Sequence, residues 1–274
     1  MSKDFDPFVA ELVSYVLDPR FSLVEKCLKL SQTFGYPNLS IKEYVDKLNL
    51  MGGGLQNLVS EVKNPTYLIS ILNEYMFNTL GFSGNGDDYY NPDNNFLNKV
   101  IDNKVGIPIT ISIIYIELAK QIGLDLRPVG FPSHFLVKHR EELIIDPFGR
   151  GRILSIDDLH GILNRSYGGS IEFIPEFLDE IEPEKILIRI CRNLKNSYNE
   201  SFNYEMAMHC INFILILEPN ASEEVRDRGI LEARLLHYDL ALKSLNQYLE
   251  LSPDADDVDG ILDLIKSIRE RTSQ

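Results

Sequence analysis

The chain has 274 residues, of which 44% are hydrophobic and 25% are charged, and its formal net charge is −14. This length gives room for one large or two modest domains, and the composition is ordinary for a soluble globular protein. The negative net charge argues against a nucleic-acid partner, because affinity for phosphate needs concentrated Lys and Arg. A local basic patch is still compatible with this net charge.

Signals for membrane insertion or secretion are not expected in this chain. Residues 1–6 do not resemble the start of a signal peptide, and no run reaches the roughly 20 apolar residues of a membrane span. The three cysteines, Cys27, Cys191 and Cys210, are an odd number at no metal-binding spacing. They predict reduced thiols in a cytoplasmic protein, with neither a metal site nor a cofactor.

Residues 1–80 predict an N-terminal helical segment. The run Gly52–Gly54 predicts a break within it, because three successive glycines are permissive and poor helix formers. Cys27 lies on an apolar helical stripe, which favours a small buried side chain over a nucleophile displaced into a site. Separate helices are predicted around residues 8–16, 23–30, 40–49, 55–62 and 67–80.

Residues 81–95 are rich in Gly, Asp and Asn and predict a loop, interpreted as an ordered lid or entry segment that folds over the core helix described below. Their aspartates lack the residue order of a calcium-binding loop, so no metal site is predicted. Asn95 or Asn98 could donate a hydrogen bond into a pocket. Capping a helix over residues 96–102 is the alternative role for Asn95.

The stretch from Asn98 to Asp146 organises the rest of the chain. Its isoleucine-rich run, residues 109–122, is apolar over most of a helical surface, which predicts a buried core helix. Pro108 fits the first turn of that helix, and Gly123 fits the left-handed position just past its end.

Three strands are predicted after the core helix, and the last two form a hairpin. If the hairpin is symmetric about Arg140, His134 lies directly opposite Asp146. If it is centred on Glu141, the two residues are diagonal neighbours on one face of the sheet. The strands are predicted at residues 126–131, 134–139 and 143–148.

A carboxylate beside an imidazole can fix its tautomer and orientation, which is the base-and-orienter half of a nucleophilic triad. The alternative is that His134 is a core histidine with satisfied hydrogen bonds and that Asp146 caps a proline turn. Arg150 and Arg152 follow this turn, where they either bring positive charge to a pocket mouth or are simply solvated.

The order of a glycine, a long apolar helix, a glycine, a strand, a His-aromatic pair, a strand and Asp-Pro resembles the transglutaminase-like superfamily. Residues 98–115, 129–137 and 145–148 are similar to the bacterial SirB family, in which such a domain precedes a tetratricopeptide-like tail. The resemblance implies a mostly helical α+β fold with a papain-like core, in which a central buried helix packs on a small antiparallel sheet.

The superfamily uses a Cys, His and Asp triad, and the resemblance places His134 and Asp146 at its His and Asp positions. The nucleophile position, at the start of the core helix, corresponds to Pro108, which has no nucleophilic side chain. The resemblance therefore implies a triad-like remnant without its thiol.

A repeat is visible in the tail of the chain. Residues 204–220 align with residues 238–254 at an offset of 34, and six of the seventeen positions are identical. A 34-residue period with a small Ala and a following Pro indicates tetratricopeptide repeats. About two repeats are too few to stand alone, so they are expected to dock onto residues 1–182. The predicted domains are 1–80, 81–182 for the transglutaminase-like core, and 183–274 for the repeats.

Two functions from different classes are compatible with these residues. The favoured one is a non-catalytic regulatory module, a pseudoenzyme whose repeat tail binds a protein or peptide. The alternative is a hydrolase or acyltransferase on amide or peptide bonds, in which His134 and Asp146 serve a substitute hydroxyl. Ser112 and Thr110, near the positive end of the core helix, are the candidate hydroxyls.

Overall fold

A computed structural model describes residues 6–59, 64–86, 88–140 and 143–272. The α-helices are α1 (Pro7–Leu17), α2 (Leu23–Phe34), α3 (Ile41–Gln56), α4 (Pro65–Asn73), α5 (Leu97–Asn103), α6 (Pro108–Gln121), α7 (Ile156–Tyr167), α8 (Pro183–Glu200), α9 (Tyr204–Leu217), α10 (Ser222–Arg234), α11 (Tyr238–Leu251) and α12 (Val258–Thr272). The strands are β1 (Ser83–Gly84), β2 (Val105–Gly106), β3 (Leu126–Val129), β4 (Leu136–His139), β5 (Ile144–Asp146) and β6 (Arg152–Leu154). A π-helix, Glu74–Thr79, continues α4, and short 3₁₀ turns cover Pro92–Asn95 and Pro175–Leu178.

The described chain divides into two compact units. Residues 15–190 form the first, and residues 6–14 together with 191–272 form the second. The predicted division at residues 80 and 182 stays a prediction.

The core of the first unit is built around α6. This helix begins at Pro108 and is followed by Gly123 with a φ of +73°, as its sequence predicts. Four of its isoleucines are buried and Ile116 is partly buried, and the helix contacts β3 and β4 as well as helices α2–α5. The predicted arrangement, a buried central helix packed on a small antiparallel sheet, is confirmed.

The predicted break at Gly52–Gly54 is wrong, because α3 runs through all three glycines. A Cβ at Gly52 would lie 2.5 Å from the side chain of Gln121, and one at Gly54 would collide with the hydroxyl of Tyr75. Two of these glycines therefore permit close packing of α3 rather than interrupt it. Part of the predicted helix at 55–62 lies outside the described residues.

The loop of residues 81–95 is ordered where it is described. β1 pairs in parallel with β2, which directly precedes α6. The side-chain amide of Asn94 is buried and donates to the carbonyl oxygens of Asp88 and Tyr89. The carbonyl of Asn94 in turn accepts a hydrogen bond of 2.9 Å from the Thr110 hydroxyl. The loop is thereby tied to the first turn of α6.

The main sheet has the strand order β3-β4-β5-β6, with every pair antiparallel. Val137 pairs with Ile145, and Lys138 pairs with Ile144. This register corresponds to a hairpin centred on Glu141, so the register centred on Arg140 is wrong. β6 is a fourth strand that the sequence pattern did not predict. The hairpin residues 141 and 142 lie outside the described residues.

In the second unit, helices α9–α12 form the tetratricopeptide-like repeats that the 34-residue offset predicts. The repeated alanines, Ala207 and Ala241, are fully buried. A Cβ at Gly229 would lie 2.7 Å from the side chain of Leu245, so this glycine permits the close approach of α10 and α11. No helix within the described ranges has the length and apolarity that crossing a membrane requires.

Candidate functional site

His134 lies in a turn just before β4 that an arginine from α8 holds in place. Ser133 has a φ of +58°, and the amide of His134 donates to the carbonyl of Phe131 at 3.0 Å. The Arg189 guanidinium donates to the carbonyl of Phe131 at 3.2 Å and to the carbonyl of His134. It also lies over the ring of Phe135, 5.6 Å from its centroid. Arg189 therefore fixes the backbone that presents the imidazole.

Asp146, the last residue of β5, is hydrogen-bonded to the imidazole. Its Oδ1 lies 3.0 Å from Nε2 of His134 and also accepts the amide of Gly149 at 3.0 Å. Burial raises the pKa of Asp146, but the hydrogen bonds from His134 and from the amides of Gly149 and Phe148 outweigh burial and hold the pKa below its usual value. The two side chains are only 16% and 17% exposed. The structure thus brings the predicted histidine and aspartate together as a diagonal pair.

Phe148 connects this pair to the strands that precede α6. Its ring meets that of His134 edge-on, with centroids 6.2 Å apart. The same ring packs so closely on Gly84 that a Cβ there would collide with it. Gly84 is the register partner of Gly106. The strand that leads into α6 is therefore linked to the imidazole through three successive contacts, Gly106–Gly84, Gly84–Phe148 and Phe148–His134.

The turn that follows Asp146 is anchored to α4, to the π-helix and to the core helix. Asn73 accepts a hydrogen bond of 2.7 Å from the Tyr115 hydroxyl and donates one of 3.0 Å to the carbonyl of Gly151. Arg150 donates to the side chain of Asn78 and lies over the ring of Phe77. π-Helical turns often occur at functional sites. This one is continuous with α4, and its residues hold the turn beside Asp146.

Pro108 is buried at the first position of α6, and the two candidate hydroxyls that follow it differ in their environments. The Thr110 hydroxyl accepts the amide of Ile107 at 3.1 Å and donates to the carbonyl of Asn94, so it holds the helix start. The Ser112 side chain is fully buried, and its Oγ has no hydrogen-bonding partner among the described residues. Ser112 is therefore not hydrogen-bonded to His134.

The predicted capping role of Asn95 is wrong. The residue before α5 is Phe96, and the first amide of that helix, that of Leu97, donates to the buried Ser31 hydroxyl at 3.0 Å. Asn95 and Asn98 are both buried, and each has a side-chain oxygen without a partner in the described part of the chain. Asn98 lines a separate cavity of about 350 Å³, which does not include His134.

None of the three cysteines completes the pair. Cys27 is 2% exposed on α2, and burial raises the pKa of its thiol. Cys191 and Cys210 are fully buried in the other compact unit. Among the described residues, the ring of His134 has no hydrogen bond to a thiol or a hydroxyl.

His134 and Asp146 line a cavity of about 340 Å³. Hydroxyls and guanidinium groups share its wall, namely those of Ser133, Ser166, Arg152 and Arg165. The two hydroxyls are 2.7 Å apart, and Arg152 also forms an ion pair with Asp158. Sequence reasoning treated Arg150 and Arg152 alike, but only Arg152 lines this cavity.

The lowered pKa of Asp146 predicts a pH-dependent contribution to stability. The ionised carboxylate contributes above its unfolded pKa, and this contribution is lost as the pH falls through the lower folded pKa. Asp146→Asn, which removes the charge, is expected to lower the free energy of unfolding at pH 7 by about 1–2 kcal/mol. The difference from wild type should shrink as the pH falls from about 5 to about 3. Urea unfolding of both proteins at a series of pH values measures this difference in unfolding free energy.

The exposed Asp179 provides a matched control for this experiment. Asp179→Asn removes the same charge from the surface and is expected to change stability by less than about 0.5 kcal/mol. If the difference in unfolding free energy between Asp146→Asn and wild type is as large at about pH 3 as at pH 7, the ionised carboxylate of Asp146 is not its cause.

The transglutaminase-like superfamily matches residues 42–192, which include His134, Asp146 and all of α6. A tetratricopeptide repeat family matches residues 194–266, which cover helices α9–α11 and part of α12. The sequence of this chain is therefore similar to two known families that meet near the middle of α8.

Among individual relatives, a UPF0162 protein of Xylella fastidiosa is 35% identical over 232 residues, which cover 82% of this chain and 83% of that protein. A UPF0162 protein of Vibrio cholerae is 26% identical over 178 residues, covering 64% of this chain and 66% of the relative. The F-box only protein 21 of Mus musculus is 28% identical over 152 residues, which cover 52% of this chain and 23% of the mouse protein.

Proposed function

We propose a binding function for this chain, which belongs to the UPF0162 family and joins a transglutaminase-like domain to tetratricopeptide repeats. In this proposal it is a non-catalytic, cytoplasmic regulatory protein of the bacterial SirB type. Its transglutaminase-like domain keeps His134 and Asp146 as the remnant of a triad, with Pro108 in the place of the nucleophile. Its repeats bind a protein or a peptide.

The observation that carries this proposal is the environment of the imidazole. His134 has its orienting carboxylate at 3.0 Å, but the ring has no hydrogen bond to a nucleophile within the described ranges. Covalent catalysis by this type of site needs a thiol or hydroxyl within hydrogen-bond reach of its base. The geometry therefore favours a structural or ligand-binding role for the pair.

The repeats support the binding half of the proposal. Tetratricopeptide repeats stack helix pairs into an extended surface, and they commonly mediate protein interactions. In this chain, side chains of three neighbouring helices, α9, α10 and α11, line one polar cavity. A peptide recognised by such a surface would contact several helices at once.

The proposal predicts that the purified chain has no cysteine-dependent amine-incorporation or amide-hydrolysis activity. The measurement is an assay of both reactions before and after treatment with iodoacetamide. We expect no turnover in either sample, since none of the three thiols is bonded to His134 and all three are buried. Activity that alkylation abolishes would contradict the proposal.

Two variants decide between the proposal and a hydroxyl enzyme. Activity that resists alkylation but is lost in both Ser112→Ala and His134→Asn would show that Ser112 is the nucleophile, with His134 as its base. The matched control is His160→Asn, which removes an exposed histidine on α7. Activity that His160→Asn lowers as much as His134→Asn would point to a contaminant or to nonspecific chemistry.

A further inference from the structure

The polar cavity of the repeat unit already holds a carboxylate from the chain's own N-terminal segment. Asp6 places its Oδ2 2.6 Å from Nδ1 of His209 and 2.9 Å from the side-chain amide of Asn212, both on α9. Its side chain is only 10% exposed. Phe8 stacks on the same imidazole, with ring centroids 4.2 Å apart and planes 18° from parallel.

Helix capping explains only part of this arrangement. Oδ1 of Asp6 accepts the amide of Phe8 at 3.0 Å, which satisfies a free amide of the first turn of α1. Oδ2 points instead to His209 and Asn212. Burial raises the pKa of Asp6, but the hydrogen bonds from Asn212 and His209 outweigh it and lower the pKa, so the carboxylate is ionised in the cavity.

The cavity is larger than this carboxylate requires. About 340 Å³ remains beside Asp6, with Arg228, Lys243 and Ser244 in its wall. His209 and Lys243 are 34 residues apart, so the two repeats contribute basic groups from the same repeat position. Glu232 also lines the cavity, where it accepts a hydrogen bond of 2.7 Å from Ser244. Without Asp6, three basic side chains would face one carboxylate.

We propose that this cavity is a binding site for a partner peptide with a carboxylate followed two residues later by an aromatic ring, and that Asp6 and Phe8 occupy it as an internal ligand. The inference rests on the proposed binding function and names the class of its partner. A partner segment of the form Asp-x-Phe would take over the contacts to His209 and Asn212. Its flanking acidic groups would meet Arg228 and Lys243.

Competition by the internal ligand gives the test. A segment tethered to the same chain acts at a high effective concentration, so it should weaken binding of any external peptide. The probe is a fluorescein-labelled peptide that contains Asp-Pro-Phe, measured by fluorescence anisotropy with the full chain. Asp6→Asn is expected to bind it about tenfold more tightly than wild type.

Variants of the cavity wall should act in the opposite direction. His209→Gln or Lys243→Gln, each combined with Asp6→Asn, is expected to weaken binding of a probe with acidic residues beside Asp-Pro-Phe at least about fivefold. The first removes a partner of the carboxylate, and the second removes a basic group that would meet the flanking acidic residues. The matched control is Lys266→Gln, an exposed lysine on α12 outside the cavity, which should leave the affinity unchanged. A probe with Asn-Pro-Phe should bind at least about tenfold more weakly.

Three results would overturn the inference. These are equal affinities of wild type and Asp6→Asn, equal binding of the Asp and Asn probes, and insensitivity to both cavity variants. A purely structural role for Asp6 would loosen the fold in Asp6→Asn without tightening peptide binding, and circular dichroism of each variant measures the loosening. Amide-hydrolysis activity would contradict the proposed function but not this site, whereas unchanged affinities contradict only the site.

Discussion

Replacing Glu224 by alanine is expected to lower the free energy of unfolding of the repeat unit by about 3 kcal/mol. Glu224 is 1% exposed on α10, and its carboxylate lies 2.8 Å from the Arg192 guanidinium and 3.7 Å from the Lys195 amino group. Burial alone would lower the pKa of Arg192, but the hydrogen bond to Glu224 raises it. Without the carboxylate, the partly buried Arg192 loses its closest ionic partner, and Lys195 loses the more distant of two. Thermal or urea unfolding of the full chain measures the effect.

The expected loss of stability lies at the lower end of the range that is typical when a buried ion pair is broken, because both cations keep a second carboxylate partner. Glu218 lies 3.2 Å from Arg192, and Asp227 lies 2.5 Å from Lys195. The matched control is Glu223→Ala, which removes the neighbouring exposed carboxylate and should change stability by less than about 0.5 kcal/mol. Equal effects of the two substitutions would show that net charge, rather than the buried network, sets the stability.

The helix ends and the repeats could be predicted from the sequence, because residues close together along the chain determine them. Pro108 and Gly123 delimit α6 because each suits one end of a helix, whatever packs around it. Ser155 and Asp158 form a capping box at the start of α7, and the spacing of three residues between such side chains is itself a local signal. The repeats were visible for a related reason, since the same local pattern recurs after 34 residues.

Contacts between distant residues limited what could be predicted of the candidate site. The motif order and the hairpin gave His134 and Asp146, but only the structure decided between the two registers. Arg189 is 55 residues from His134, and Asn73 is 78 residues from Gly151. Neither belongs to a local motif, because a single arginine or asparagine on a helix carries no sign of the carbonyl group that it will bind.

Asn73 nevertheless controls the turn beside the candidate site, and substitution of Gly151 tests this. We expect Gly151→Ala to lower the free energy of unfolding of the first unit by about 3 kcal/mol. Gly151 has a φ of +73°, where an alanine is strained, and its Cβ would collide with the side chain of Asn73. The amide of Gly151 also donates to the carbonyl of Asp146 at 2.8 Å, so the strain reaches the candidate site. Urea unfolding measures the stability, and the NMR chemical shifts of the His134 ring at fixed pH report the change at the site.

Gly123→Ala is the matched control because it separates backbone strain from collision. Gly123 has the same φ of +73°, but a Cβ there would meet nothing within 4 Å. Its substitution should therefore cost only the backbone strain, about 1 kcal/mol, and leave the chemical shifts of the His134 ring unchanged. If the two variants lose equal stability, the contact between Asn73 and Gly151 does not constrain the turn. If Gly151→Ala is the more destabilised and also changes the chemical shifts of the His134 ring, the hydrogen bonds of Asn73 connect the core helix to the His134–Asp146 pair.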